Sequence, residues 1–172
     1  SMLTSTLAYY YSVNETENFE KNFKGLYVYD HPTPYKNSYY ILQLNFSGID
    51  TGANVSIEEM HRQFSEIIYY GVIKCISMYN LNIEITKDNN AAGILREFLT
   101  KFEQQNRRTK IYIMIDEYDH FTNGILKGDA KKFLTVLGAS GFVRSFYEVI
   151  KEKLETIDPP IGRFFATGVA PI

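Results

Sequence analysis

Cysteine is almost absent from this chain. A single residue, Cys75, excludes an intrachain disulfide and any zinc site assembled from cysteines. It stands in "GVIKCISM" among apolar neighbours, which fits a small core side chain better than a reactive thiol. Tryptophan is missing, and the three histidines (His31, His61, His120) have no HExxH-like spacing, so a histidine-built metal site has no support. Long apolar runs are lacking too, as is a basic-then-apolar leader, and no membrane partner is expected. Neither sign of charge dominates. The formal net charge is −2 and the pI about 5.9, giving no general attraction to nucleic acid or anionic lipid. A reducing, cytoplasmic setting is the default expectation. One absence bears on chemistry: none of the 11 glycines is followed by lysine, so the phosphate-loop pattern GxxxxGK[ST] occurs nowhere.

What is present describes an ordinary globular domain. The chain has 172 residues, 45% hydrophobic and 22% charged, with 14 Tyr and 12 Phe to build an aromatic core. Residues 3–172 read as one domain, with Ser1-Met2 set aside as a candidate cloning scar. The one basic patch, Arg107, Arg108 and Lys110, reads as a solvated turn before a strand.

Periodicity divides the rest. "LTSTLAYYYS" has helical spacing at Leu3, Leu7, Ala8 and Tyr11 but starts without an evident cap. "ETENFEKNFKG" predicts a short helix on Phe19 and Phe23 that stops at Gly25, and "YDHPTPYKNS" reads as loop. "YYILQLNFSGI" predicts a strand over Tyr39 to Ile49. Ser56 and Glu59 form a capping box that opens a long helix, whose pattern Gly71 interrupts, leaving room for a bend there. Ile94, Leu95, Phe98, Leu99 and Phe102 mark another helix, and Lys110 to Tyr118 a buried strand. "TNGILKGD" reads as loop, Asp129 to Leu137 as a short helix, and Phe142 to Leu154 as a longer one ended by "DPP". "RFFATGVAPI" supplies a last strand. Strands alternating with long helices predict an α/β fold: a parallel sheet of about three strands with helices packed on its faces.

Ligands of such sheets gather beyond the carboxyl ends of the strands. Asp116 and Glu117, Ser47 and Gly48, and Thr167 and Gly168 all fall there. A buried strand ending in Asp-Glu suits nucleotide hydrolysis. The first carboxylate can anchor Mg²⁺, and the second can orient or deprotonate the attacking water. Adjacent strand residues point to opposite faces, so both acids serve one site only if the strand turns between them. Taken alone, the pattern is weak, since most such matches are simply strands surfacing into water.

The ordered set "FKGLYVYD", "YYILQLNFSGID", "IYIMIDEYD" and "RFFATGVAPI" resembles the AAA-ATPase-like family, P-loop ATPases of the class with an acidic second motif. The resemblance implies a partial P-loop NTPase core, with the Asp116 strand between the Phe46 strand and the Phe165 strand. It places Asp116 and Glu117 on the Walker B pair, as metal ligand and catalytic base, and Thr167 at a sensor-like, cofactor-facing position. Mg²⁺ and ATP are the implied cofactors of the complete domain. The family's loop ending in Gly-Lys-Ser, which leads into the helix at Leu3, is the departure. Without it the chain as given is expected to bind no ATP.

The same resemblance sets a phosphate-loop strand beside the last strand. Without that strand, Arg163 to Val169 would be a bare apolar edge, open to self-association. For Glu117, water activation and a structural ion pair are both open. A threonine such as Thr167 is more often buried and backbone-bonded than a sensor, and only the resemblance lifts the sensor reading. Asp119 and Tyr118 read as holding the loop after the strand, and Arg144 and Arg163 as solvated or salt-bridged rather than arginine fingers. Three function classes follow: the partial core of an ATPase, a non-catalytic interaction domain derived from one, and a metal-dependent nuclease using Asp116 and Glu117.

Overall fold

Three strands, β1 (Tyr39–Asn45), β2 (Lys110–Asp116) and β3 (Ile161–Thr167), form one sheet in the order β1-β2-β3. Both pairings are parallel, so the expected α/β class and the central place of the Asp116 strand hold. The structure is a computed structural model that describes residues 1–52, 54–105, 107–120, 123, 125, 135, 136, 138 and 141–168. Helix α1 (Met2–Tyr11) leads through a 3-10 turn (Val13–Glu15) into the short helices α2 (Phe19–Phe23) and α3 (Tyr27–Asp30). Helices α4 (Ile57–Met78) and α5 (Ala91–Glu103) connect β1 to β2, and α6 (Phe142–Leu154) leads into β3.

The two faces of the sheet follow from the period of two along each strand. Tyr40, Leu42 and Leu44 align with Ile111, Ile113 and Ile115, and the last two with Phe164 and Ala166 of β3. This face packs on α4, α5 and α6 through contacts such as Phe46–Phe64, Phe46–Phe146 and Tyr147–Phe164. The other face carries Ile41, Tyr112 and Arg163 in one row and Asn45, Asp116 and Thr167 in another. Helix α1 lies over this side, where Tyr11 packs edge-on against Tyr39 and Tyr112. Since β2 is central, every residue from Ile111 to Asp116 is buried. That is why its sequence is continuously apolar instead of alternating.

Several boundaries differ from the sequence reading. Helix α1 is capped after all: the Ser1 side chain accepts from the Thr4 N–H, and the Thr4 side chain in turn meets the Ser1 backbone nitrogen. Its Leu3 is exposed and Thr4 is the buried residue, the reverse of what apolar spacing indicates. Tyr29 and Asp30 close α3 instead of opening a loop. Strand β1 ends at Asn45 because the Asn45 side chain turns back to accept from the Ser47 N–H at 2.8 Å. Helix α4 opens at Ser56 as expected, but only half of the capping box forms. The Glu59 carboxylate is drawn to Arg62 and Gln63 instead, which holds its pKa down to about 2. Asn123 and Ile125 are helical where a loop is expected; the rest of "TNGILKGD", and most of the helix expected over Asp129 to Leu137, lie outside the described residues.

At Gly71 helix α4 continues without a break. The role of Gly71 is close approach: a Cβ added there would lie 2.4 Å from Leu44 Cδ2 and 3.5 Å from the Gln43 carbonyl oxygen. Gly71→Val should therefore lose about 1–3 kcal/mol by overpacking the α4–β1 seam, read as a lower urea midpoint at unchanged slope. An unchanged or raised midpoint would contradict this. Cys75 lies on the same helix, buried, and burial pushes its thiol up to about 12, as expected of an inert core cysteine.

Candidate functional site

The carboxyl end of β2 meets the amino end of α1, and the residues brought together there are Asp116, Ser1 and Thr4. Asp116 is only 2% exposed. Its Oδ2 accepts from the Thr4 hydroxyl at 3.1 Å and lies against the Ser1 backbone nitrogen. Thr4 Oγ1 has one proton and a second acceptor in reach, the Ser1 carbonyl at 2.9 Å, so it serves one oxygen at a time. The buried carboxylate faces the amino end of a helix, whose dipole favours negative charge there.

Glu117 answers the question raised by two adjacent acids. Its φ is +56, in the left-handed region, so the extended backbone stops after Asp116 and turns at once. For a residue with a side chain this conformation costs roughly 1–2 kcal/mol. It takes the Glu117 side chain off the strand's alternation, the condition for both acids to serve one site. Glu117 is half-buried, and among the described residues no hydrogen bond or ion pair engages its carboxylate. Its backbone carbonyl accepts from the His120 N–H at 3.1 Å. A structural ion pair, one of the two open readings, is therefore not observed among the described residues.

Thr167 stands beside Asp116 in the register, and Asn45 flanks Asp116 on the other side. Three polar residues thus end three neighbouring strands in one row. The Thr167 carbonyl accepts from the Tyr118 N–H at 3.1 Å, tying the end of β3 to the loop after β2. Its side chain is half-buried, with no partner for the hydroxyl among the described residues. Asp119 is buried and its carboxylate accepts from Asn123 Nδ2 at 3.2 Å. Gly168 packs so closely on it that an added Cβ would fall 2.0 Å from Asp119 Oδ1. Asp119 thus holds the loop, as expected.

Other candidates lie away from this end. Arg107 bonds Gln105 and Tyr40, and Lys110 pairs with Asp158, all near the opposite end of β2, about 20 Å from Asp116 at strand rise. Arg144 pairs with Glu148, and Arg163 donates to the Tyr39 hydroxyl and lies over the Tyr35 ring. Both arginines have local partners, in line with the structural reading. His61 stacks on Phe142 and His31 on Tyr27. Among the described residues no group of three His, Cys, Asp or Glu side chains is arranged to hold a metal ion, and no helix is long and apolar enough to cross a membrane.

Ser1, Thr4 and Asn45 escaped the sequence reading. Ser1 was set aside, and Thr4 looked like a neutral helix position. A Ser followed three residues later by Thr was the available signal, a weak capping pattern. Asn45 becomes visible only through register.

A profile of predicted AAA-ATPases matches residues 1–172, the whole chain. The chain belongs to the AAA-ATPase-like family. It is also similar to DNA polymerase III subunit alpha of Borreliella burgdorferi, at 26% identity over 152 residues. That stretch is 86% of this chain and 11% of the relative, so the chain spans a small part of that protein's length. No solved structure matches.

Proposed function

We propose that this chain is the partial core of an AAA-type ATPase, in which ATP is hydrolysed by the complete protein. Family membership supports the general assignment. The observation that carries the finer reading is the meeting of buried Asp116 with the first turn of α1, where the Thr4 hydroxyl donates to its carboxylate. These residues fit a Mg²⁺–phosphate group. Asp116 would hold the metal, directly or through water, with the Ser1 hydroxyl and the first N–H groups of α1 facing the phosphate side. On this reading Ser1 belongs to the site and is not a cloning remnant. The metal, when bound, supplies neutralisation of phosphate charge.

The chain's own groups then have distinct tasks. The Glu117 carboxylate, turned off the strand and unengaged among the described residues, orients a water and accepts its proton. Thr167, in register with Asp116 one strand over, would offer its hydroxyl to the transferred phosphate. Asp119 and Gly168 keep the two loops together. Mg²⁺ and ATP belong to the complete domain, and with no Gly-Lys pair in 172 residues this chain alone binds neither appreciably.

A second reading, a non-catalytic interaction domain derived from an ATPase, is favoured by one observation, the lack of GxxxxGK[ST]. The parent coding sequence separates the two. A GxxxxGK[ST] running into Ser1 supports the ATPase, and Mg²⁺-dependent hydrolysis by that longer form tests it. Its handedness is consistent: crossovers are right-handed, and α1 lies on the face opposite to α4–α6. A strand feeding α1 would therefore fall on the β3 side of the sheet. Nothing transfers from the polymerase relative beyond the likeness itself.

A further inference from the structure

Many lysines and arginines of the chain pair with a carboxylate: Arg62 with Glu59, Lys101 with Glu97, Arg144 with Glu148, Lys153 with Glu103. Lys36, Arg107, Arg108 and Arg163 have no such partner among the described residues. They gather at the amino ends of the strands. Lys36 lies just before β1, Arg107 and Arg108 just before β2, and Arg163 near the start of β3.

Aromatic rings hold three of the four. Lys36 Nζ stands 4.1 Å from the centroid of Phe19. Arg107 donates through Nη1 to the Tyr40 hydroxyl at 3.4 Å and lies over that ring. Arg163 donates through Nε to the Tyr39 hydroxyl at 3.2 Å, with its guanidinium 4.9 Å from the centroid of Tyr35. Neutral partners of this kind position a cation without cancelling its charge. Nη2 of Arg107 and both terminal nitrogens of Arg163 bond to no described residue. Tyr39 and Tyr40 are successive residues of β1 on opposite faces, so the two arginines flank the end of the sheet from its two sides. Arg163 reaches across β2 to Tyr39, which sets the group on the β1–β2 side, away from the outer edge of β3. Half of Tyr35 stays exposed.

We propose that this end of the domain binds single-stranded nucleic acid, with phosphodiesters held by the four cations and a base stacked on Tyr35. Guanidinium groups with unused terminal N–H donors suit phosphate oxygens, and an exposed tyrosine among cations suits an unpaired base. A duplex keeps its bases stacked within and has no use for the ring; an acidic peptide would engage the cations alone. The net charge of −2 gives the chain as a whole no such attraction, so the affinity is local to this surface. It lies about 20 Å from Asp116 at strand rise, and the inference does not depend on ATP hydrolysis.

Fluorescence anisotropy tests it, with the 172-residue chain titrated into a labelled oligothymidylate of about 12 nucleotides and into the matching oligouridylate. Saturable binding is expected, and the tighter strand identifies the preferred sugar. The logarithm of affinity should fall with that of salt at a slope of about −2 to −3, as three or four phosphates are neutralised. Lys36→Ala combined with Arg108→Ala should weaken binding about 10-fold or more and reduce the slope by about 1.4. Tyr35→Ala should weaken it about 5- to 150-fold with the slope unchanged. Lys87→Ala, which removes a cation just before α5, should change nothing, and circular dichroism melts establish that each variant is folded. No binding by wild type at about 50 mM salt overturns the proposal, as does binding that the double variant leaves unchanged. An oligoglutamate that competes equally well, with Tyr35→Ala without effect, would overturn it too, by making this a surface for acidic protein.

Discussion

Glu117→Gln should lower the turnover number for ATP by about 10²–10⁴-fold in a form of the protein that includes the phosphate loop, while nucleotide affinity changes little. The substitution keeps size and backbone demands and removes only the capacity to accept a proton. Glu117 has a left-handed φ of +56, a strained conformation on a half-buried acid that no described partner uses. Strain of this kind is maintained where a side chain must be aimed, and glycine would relieve it. Glu117→Gly should therefore be as inactive as the Gln variant yet match or exceed wild-type stability by about 0.5–1 kcal/mol. Loss of activity with gain of stability separates an aimed catalytic acid from a structural one. If Glu117→Gln keeps wild-type turnover, the assignment fails.

Thr4→Val tests the other half of the site and needs no nucleotide. Thr4 is fully buried, and its hydroxyl is the side-chain donor to Asp116. Valine keeps the shape and removes the hydroxyl, leaving a buried carboxylate one donor short. An unmade bond to a buried charged group costs about 1–3 kcal/mol. At this chain length that is roughly a 4–8 °C fall in melting temperature for a loss near 2 kcal/mol. Thr4→Ser should recover most of it. Equal melting temperatures for wild type and Thr4→Val would mean that the Thr4–Asp116 contact carries no weight in solution.

Much of this was legible in the residues. The uniform apolar run from Ile111 to Ile115 could only be a central strand, and its acids had to fall at a carboxyl edge. Phe98, Leu99 and Phe102 marked α5, and Phe146, Val149 and Ile150 marked α6, because one-sided burial imposes a 3.6 period. What failed to show were contacts far apart in sequence. Thr4 and Asp116 are 112 positions apart, and no local pattern ties a helix threonine to a strand aspartate. Gly71 read as an interruption of the helical pattern because sequence does not reveal a neighbouring Leu44. Asp116 and Glu117 as a pair were legible; the turn that lets them act together was a backbone dihedral.

The account centres on a nucleotide site at Asp116 that is completed by a phosphate loop. Calorimetric titration of ATP with Mg²⁺ into this chain, beside one extended upstream through such a loop, tests it most directly. Saturable binding by the extended form, abolished by Asp116→Ala, with no measurable heat from the 172-residue chain, is the predicted result. An extended form that binds no nucleotide, or a short chain that binds it equally well, would contradict the account.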